Sequence, residues 1–152
     1  MHRLIASLFG SGLVLGRFRG SDSGSGTVGA LITLALSLWL GSVWGWPAQL
    51  IAAAALTVIS LWVTSALAPT TGDAGWIVID EAAGTMVATI GLIGWPAAIA
   101  FVAFRVADIT KTPFPGVSPA ERLPGGVGIT ADDLVAGIYG LLIGLLAKAI
   151  FF

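Results

Sequence analysis

Long uncharged hydrophobic blocks, separated by short polar breaks, dominate this chain. Residues 27–44 (TVGALITLALSLWLGSVW) and 48–68 (AQLIAAAALTVISLWVTSALA) contain no charged residue. Each is close to the roughly 17–25 residues a helix needs to cross a bilayer. The link between them is short and uncharged, with Trp44 and Trp46 suited to a membrane interface, so the pair predicts a helical hairpin. Residues 134–152 (LVAGIYGLLIGLLAKAIFF) predict a third span. The stretch 81–107 is also apolar, but "GLIGWP" interrupts it with Gly91, Gly94 and Pro96. Proline inside a helix costs about 3 kcal/mol or more. The glycines weaken the helix further.

That interruption decides where the polar residues go. As one kinked span, 81–107 would be about 40 Å long. Asp80 and Glu81 would then face the opposite side of the membrane from Asp108 and Lys111. A turn at Gly94–Pro96 instead gives two helices of about 13 residues each. The reading adopted is this broken hairpin, which returns all four polar residues to one face.

Composition supports a membrane protein. Hydrophobic residues make up 57% of the 152, charged residues 10%, and the mean hydropathy is +0.98. A soluble domain carries about 25% charged residues. The fold class expected is an all-α integral membrane protein, one domain over 1–152. A flexible Gly/Ser-rich loop is expected at 14–26 and a polar loop at 108–131. The apolar start, followed by Arg17 and Arg19, lacks a small-residue cleavage site and is expected to be retained. The chain has no cysteine, which removes thiolate nucleophiles and thiolate metal sites. A net charge of -1 without a basic run gives no reason to expect nucleic acid.

On the hairpin map, Arg3, Arg17, Arg19, Arg105, Lys111 and Arg122 share one face and Lys148 alone lies on the other. An excess of Lys and Arg marks the cytoplasmic side. All eight acids share that face: Asp22, Asp73, Asp80, Glu81, Asp108, Glu121, Asp132 and Asp133.

A single acid at a helix end is most often a cap. Thr130 with Asp133 three residues on fits the capping-box spacing, and Asp80, Asp108 and Asp132 each fall at a predicted helix end. Five carboxylates converging on one face would repel one another unless something positive sits between them. An all-oxygen donor set suits a hard divalent ion such as Mg²⁺. Arg105, Lys111 and the backbone of Gly125–Gly128 offer donors to an anion such as phosphate. Metal and phosphate together at a membrane surface point to an enzyme acting on a phospholipid headgroup.

Four blocks carry a family resemblance: "FGSGL" with "GTVGAL" near the start, "VIDEAAG" at 78–84, "FRVADITKTPFP" at 104–115, and "GGVGITADDLVAG" at 125–137. In order and spacing the chain resembles the phosphatidylglycerophosphatase A family. Its members remove the terminal phosphate of phosphatidylglycerophosphate to leave phosphatidylglycerol. The resemblance implies a Mg²⁺-dependent phosphatase of the bacterial inner membrane with its site facing the cytoplasm. It maps the acidic positions onto Asp80, Glu81, Asp108, Asp132 and Asp133. Glu81 or Asp133 then serves as ligand or general base, with Arg105 and Lys111 on the phosphate. Gly125, Gly126 and Thr27 join them as candidate phosphate contacts. "KTPFP" departs from the more usual Lys-Pro-Trp-Pro but spares the charged residues.

Elimination leads the same way. Without Cys, and with His2 as the single histidine, cysteine and histidine phosphatases are excluded; no two Asp residues stand two apart, as a D-x-D aspartyl phosphatase requires. Attack by a metal-activated water remains. The rival reading is a small ion transporter or channel with an acidic cation site, but no acid lies deep in a predicted span. The cytidine-diphosphate-dependent transferase pattern is absent. The tryptophans are expected as interface anchors. Gly137, Gly140 and Gly144 are expected as close-packing positions; Gly140 and Gly144 also form a G-x-x-x-G, a weak signal for a homodimer face.

Overall fold

A computed structural model describes residues 1–13 and 24–151 and is all-helical over them. The helices bounded within the described residues follow in order: α1 (His2–Ala6), α2 (Ser25–Val43), α3 (Trp46–Thr71), α4 (Ile79–Ala88), α5 (Gly94–Thr110), α6 (Val117–Glu121) and α7 (Gly126–Phe151). Three of them, α2, α3 and α7, are long and apolar enough to cross a membrane. Arg17, Arg19, Asp22 and most of the expected 14–26 loop lie outside the described residues, while Ser25 and Gly26 already belong to α2.

The bundle is built inside out relative to a soluble one. The buried stripe of α7 runs Gly126, Thr130, Asp133, Gly137, Gly140, Gly144, Ala147, alternating steps of four and three residues. Large apolar side chains such as Ile138, Leu142 and Leu146 face outward. Lipid is as apolar as leucine, so helices associate through small residues that let backbones approach. A Cβ on Gly137 would meet the Gly84 carbonyl at 2.6 Å. One on Gly140 would meet Ala100, Phe104 and Ala88. One on Gly144 would meet Leu92, Ala100 and Pro96. The G-x-x-x-G is therefore used for close packing within the chain.

The broken hairpin exists, with shifted boundaries. Its arms are 10 and 17 residues long, and the break falls at Thr89–Ile93 rather than at Gly94–Pro96. Gly91 takes a positive φ of 72° there. Pro96 sits in the first turn of α5, where a missing N–H costs no helical hydrogen bond.

The tip of this hairpin lies level with the α2–α3 turn. Gln49, buried near the start of α3, accepts from the Gly91 N–H at 2.9 Å and donates to the Leu92 carbonyl at 3.2 Å. It also donates to the Ser37 carbonyl at 3.0 Å. Lys148, near the end of α7, donates to the Gly91 carbonyl at 3.2 Å. The hairpin thus reaches the far end of the bundle. Trp39, Trp44, Trp46 and Trp95 stand exposed around that end, as interface anchors would. Trp76 departs from the expectation: it is buried in the core, with the Arg3 guanidinium 5.1 Å above its ring.

The third span begins at Gly126, eight residues before the expected 134. Gly126 and Gly128 look like loop in the sequence, yet both are helical. A Cβ on Gly126 would collide with the α3 backbone at Thr64 and Ser65, and one on Gly128 with the Leu123 carbonyl. Thr64 donates to the Gly126 carbonyl at 3.0 Å and Thr130 pairs with Ser60 at 2.8 Å, fastening α7 to α3. Thr130 is therefore an interhelical contact, and the capping-box reading of Thr130 and Asp133 is overturned.

Candidate active site

The acids enter the bundle at the end opposite the hairpin tip. The segment leading into α4 is itself buried at Trp76–Ile79, and the Val78 N–H donates to the Ala6 carbonyl at 2.9 Å. This pins the start of α4 inside the protein, so Asp80 arrives buried and Glu81 half-buried in its first turn. Carboxylates suit that positive helix end. Asp80 Oδ1 accepts from the Glu81 N–H at 3.0 Å. Glu81 fits because position 26 on α2 is glycine; a Cβ there would collide with Glu81 Oε1. Gly29, one turn on, makes room for Val78 in the same way.

Asp132 and Asp133 sit in the second turn of α7 and diverge. Asp133 lies on the buried stripe, its backbone against Gly84 of α4 and its charge within electrostatic range of Asp108, Glu81 and Arg105. Asp132 turns toward the α5–α6 connection, where Lys111 Nζ lies 2.8 Å from its Oδ2. Lys111 also pairs with Glu121 Oε1 at 2.7 Å. Burial opposes the charge on Lys111, but the hydrogen bonds from Asp132 and Glu121 outweigh it and hold the ammonium above its ordinary pKa. Its backbone has φ 51°, which costs a non-glycine residue roughly 1–3 kcal/mol. The two ion pairs hold it there.

Asp108 stands in the last turn of α5, the negative end of a helix and a poor place for an acid. Arg105, one turn earlier, offsets this at 2.7 Å. The same guanidinium donates to Thr27 Oγ1 of α2 at 3.4 Å. A cavity of about 470 Å³ opens beside it, lined by Gly24, Gly26, Thr27, Gly75, Glu81, Arg105 and Ile109.

The structure therefore brings Asp80, Glu81, Asp108, Asp132, Asp133, Arg105, Lys111 and Thr27 to one end of the bundle. Gly125 and Gly126 stand apart from the cavity lining: Gly126 packs on α3, and Gly125 supplies the φ of 62° that enters α7. Glu121, absent from the expected site, proves to be the second partner of Lys111. It sits ten residues away at the end of the five-residue helix α6, too short to leave a periodicity that would mark it. Gly26 was also missed, although its place beside Thr27 in "SGSGTVGAL" is a usable signal.

Three buried carboxylate oxygens have no hydrogen-bond partner: Glu81 Oε2, Asp132 Oδ1 and Asp133 Oδ1. Buried acceptors are almost always satisfied by protein, water or an ion, so these three oxygens are open to a bound partner. Among the described residues no three acids converge closely enough to cage an ion as they stand. Asp108 and Asp132 are drawn aside by Arg105 and Lys111. An all-oxygen donor set with acids in excess over bases still matches a hard divalent cation in chemistry.

Comparison with known proteins gives the chain's family. The family profile of phosphatidylglycerophosphatase A matches residues 4–148. The chain is 34% identical to a phosphatidylglycerophosphatase A of Haemophilus influenzae, over 92% of this chain and 84% of that protein. It is 32% identical to a Bacteroides thetaiotaomicron protein that carries the provisional name phosphatidylinositol-3-phosphatase, over 95% of this chain and 92% of that one. No solved structure matches it. With its three membrane-length helices and its buried acids beside Arg105, the chain is a membrane phosphatase and belongs to the phosphatidylglycerophosphatase A family.

Proposed function

We propose that this protein hydrolyses the terminal phosphomonoester of phosphatidylglycerophosphate in a Mg²⁺-dependent reaction at the cytoplasmic face of a bacterial inner membrane. The observation that carries the proposal is the set of unpartnered oxygens on Glu81, Asp132 and Asp133, next to an arginine and an open cavity. Asp132 and one of Glu81 and Asp133 would hold the ion, with Asp80 beside them. When bound, Mg²⁺ polarises phosphoryl oxygens and lowers the pKa of coordinated water. Asp108 is committed to Arg105 and acts through it, a departure from the ligand role expected of it.

Arg105 receives the phosphate. Its guanidinium is oriented by Asp108 and Thr27, and a preorganised cation stabilises charge that develops in transfer. Of Glu81 and Asp133, the one that does not hold the ion accepts the proton of the attacking water, and Glu81 is the one that lines the cavity. Lys111 neutralises Asp132 Oδ2 and leaves the buried Oδ1 without a partner. Among the described residues the acids gather at one end and the deep half of the hairpin carries none, which argues against an ion-transport site at mid-membrane.

The test is release of inorganic phosphate by purified protein, with Mg²⁺ and with a chelator. Phosphatidylglycerophosphate and phosphatidylinositol 3-phosphate are compared as substrates, because the two relatives carry names of different specificity. Faster turnover of the inositol lipid, or release that survives chelation, would overturn the proposal.

A further inference from the structure

The polar cavity does not end at Arg105. A second groove of about 320 Å³ shares Thr27, Arg105 and Ile109 with it and continues down α5 past Phe101, Val102 and Val106. Apart from Thr27 Oγ1, Arg105 and Thr110 its lining is apolar, and Val102, Val106 and Ile109 are open on the lipid side. Helices α2 and α5 make only sparse contact, and the Arg105–Thr27 hydrogen bond crosses the gap between them. A track thus runs from a half-buried acid, past a cation, to an apolar groove that opens sideways. Its two ends match the two ends of one kind of molecule.

We propose that the gap between α2 and α5 is a lateral portal. In it an acyl chain of the lipid substrate lies along Val102 and Val106 while the headgroup passes Arg105 to reach Glu81. This rests on the lipid-phosphatase reading above and adds the route of entry and the seat of the chain. The geometry answers a problem set by the acids themselves. They gather at one end of the bundle, and Glu81 lines a cavity that opens between α2 and α5, so this gap gives a substrate anchored in the bilayer a direct route to them. The face of α5 toward α2 joins the acid-containing cavity to an apolar groove, and the charge of Arg105 sits at that junction.

The test uses phosphatidylcholine vesicles containing a diacyl phospholipid that ends in a phosphomonoester and carries a diazirine in one acyl chain. Crosslinks should concentrate on residues 101–110 and the start of α2. Unlabelled phosphomonoester lipid should suppress them, and further phosphatidylcholine should not. In parallel, Val102→Trp should raise the KM for long-chain substrate about tenfold more than for a dibutyryl analogue, the worth of roughly two methylenes lost from an apolar contact. Leu146→Trp, on the outward face of α7, should show no such difference. Crosslinks spread over α3 and α7 whatever the headgroup, or equal effects of Val102→Trp on both substrates, would overturn the portal. Portal-specific crosslinking without phosphate release would uphold the portal and overturn the proposed reaction instead.

Discussion

Lys111 Nζ lies 2.8 Å from Asp132 Oδ2, and this pairing separates the roles of two acids that are adjacent in the chain. Successive helical residues point about 100° apart, so Asp132 faces the α5–α6 connection while Asp133 faces α4. One carboxylate is neutralised and the other remains among like charges.

Asp133→Asn should reduce phosphate release by roughly 100-fold or more, the scale of losing one preorganised electrostatic group. The same change should hold or raise the thermal stability of metal-free protein in detergent, because it removes one of several mutually repelling charges. Loss of activity together with loss of folding would mean that Asp133 serves the structure.

Lys111→Met should cost about 2 kcal/mol of stability by leaving Asp132 without its partner. Adding Asp132→Asn should recover part of that cost, since the pair is then neutral. A double-mutant cycle read by unfolding in detergent measures the coupling. Additive effects would show that the Lys111–Asp132 pair contributes little.

At position 26 stability and activity should move apart. Gly26→Ala improves helix propensity by up to about 1 kcal/mol within α2. The added methyl nevertheless takes the place of Glu81 Oε1. Activity should fall at least tenfold while the protein still inserts, a loss of about 1.4 kcal/mol in transition-state stabilisation. Wild-type turnover in this variant would remove Glu81 from the site.

Gln49 latches the hairpin tip through bonds to Gly91, Leu92 and Ser37. Interhelical hydrogen bonds in membranes contribute about 0.6 kcal/mol each, up to about 1.7. Gln49→Leu should therefore destabilise the protein by about 2 kcal/mol, with the KM for substrate unchanged, as read by thermal unfolding beside steady-state kinetics.

The depth of the hairpin can be read by sidedness. Cysteines replacing Asp73 and Glu121 should react with an impermeant reagent from one side of the membrane. Those replacing Trp46 and Trp95 should react from the other. Labelling of the Trp95 position from the Asp73 side would mean a shallow hairpin.

Hydropathy by itself determined the membrane class, the three long helices and the existence of the hairpin, because each depends on local composition and length. The clustering of acids was legible too, since a chain that crosses and returns has few places to put its charges. Tertiary packing decided the boundaries and the partners. Gly126 and Gly128 are helical because α3 and the Leu123 carbonyl fill the space a side chain would need, which no local propensity reveals. Pro96 begins a helix instead of breaking one because the chain had already turned at Gly91. Lys111 was legible as a cation near phosphate, but its commitment to Asp132 and Glu121 depends on a loop that brings residues 10 and 21 positions apart to one ammonium. Such contacts between distant residues leave no periodic trace in the sequence, and they determine which buried carboxylate oxygens remain without partners.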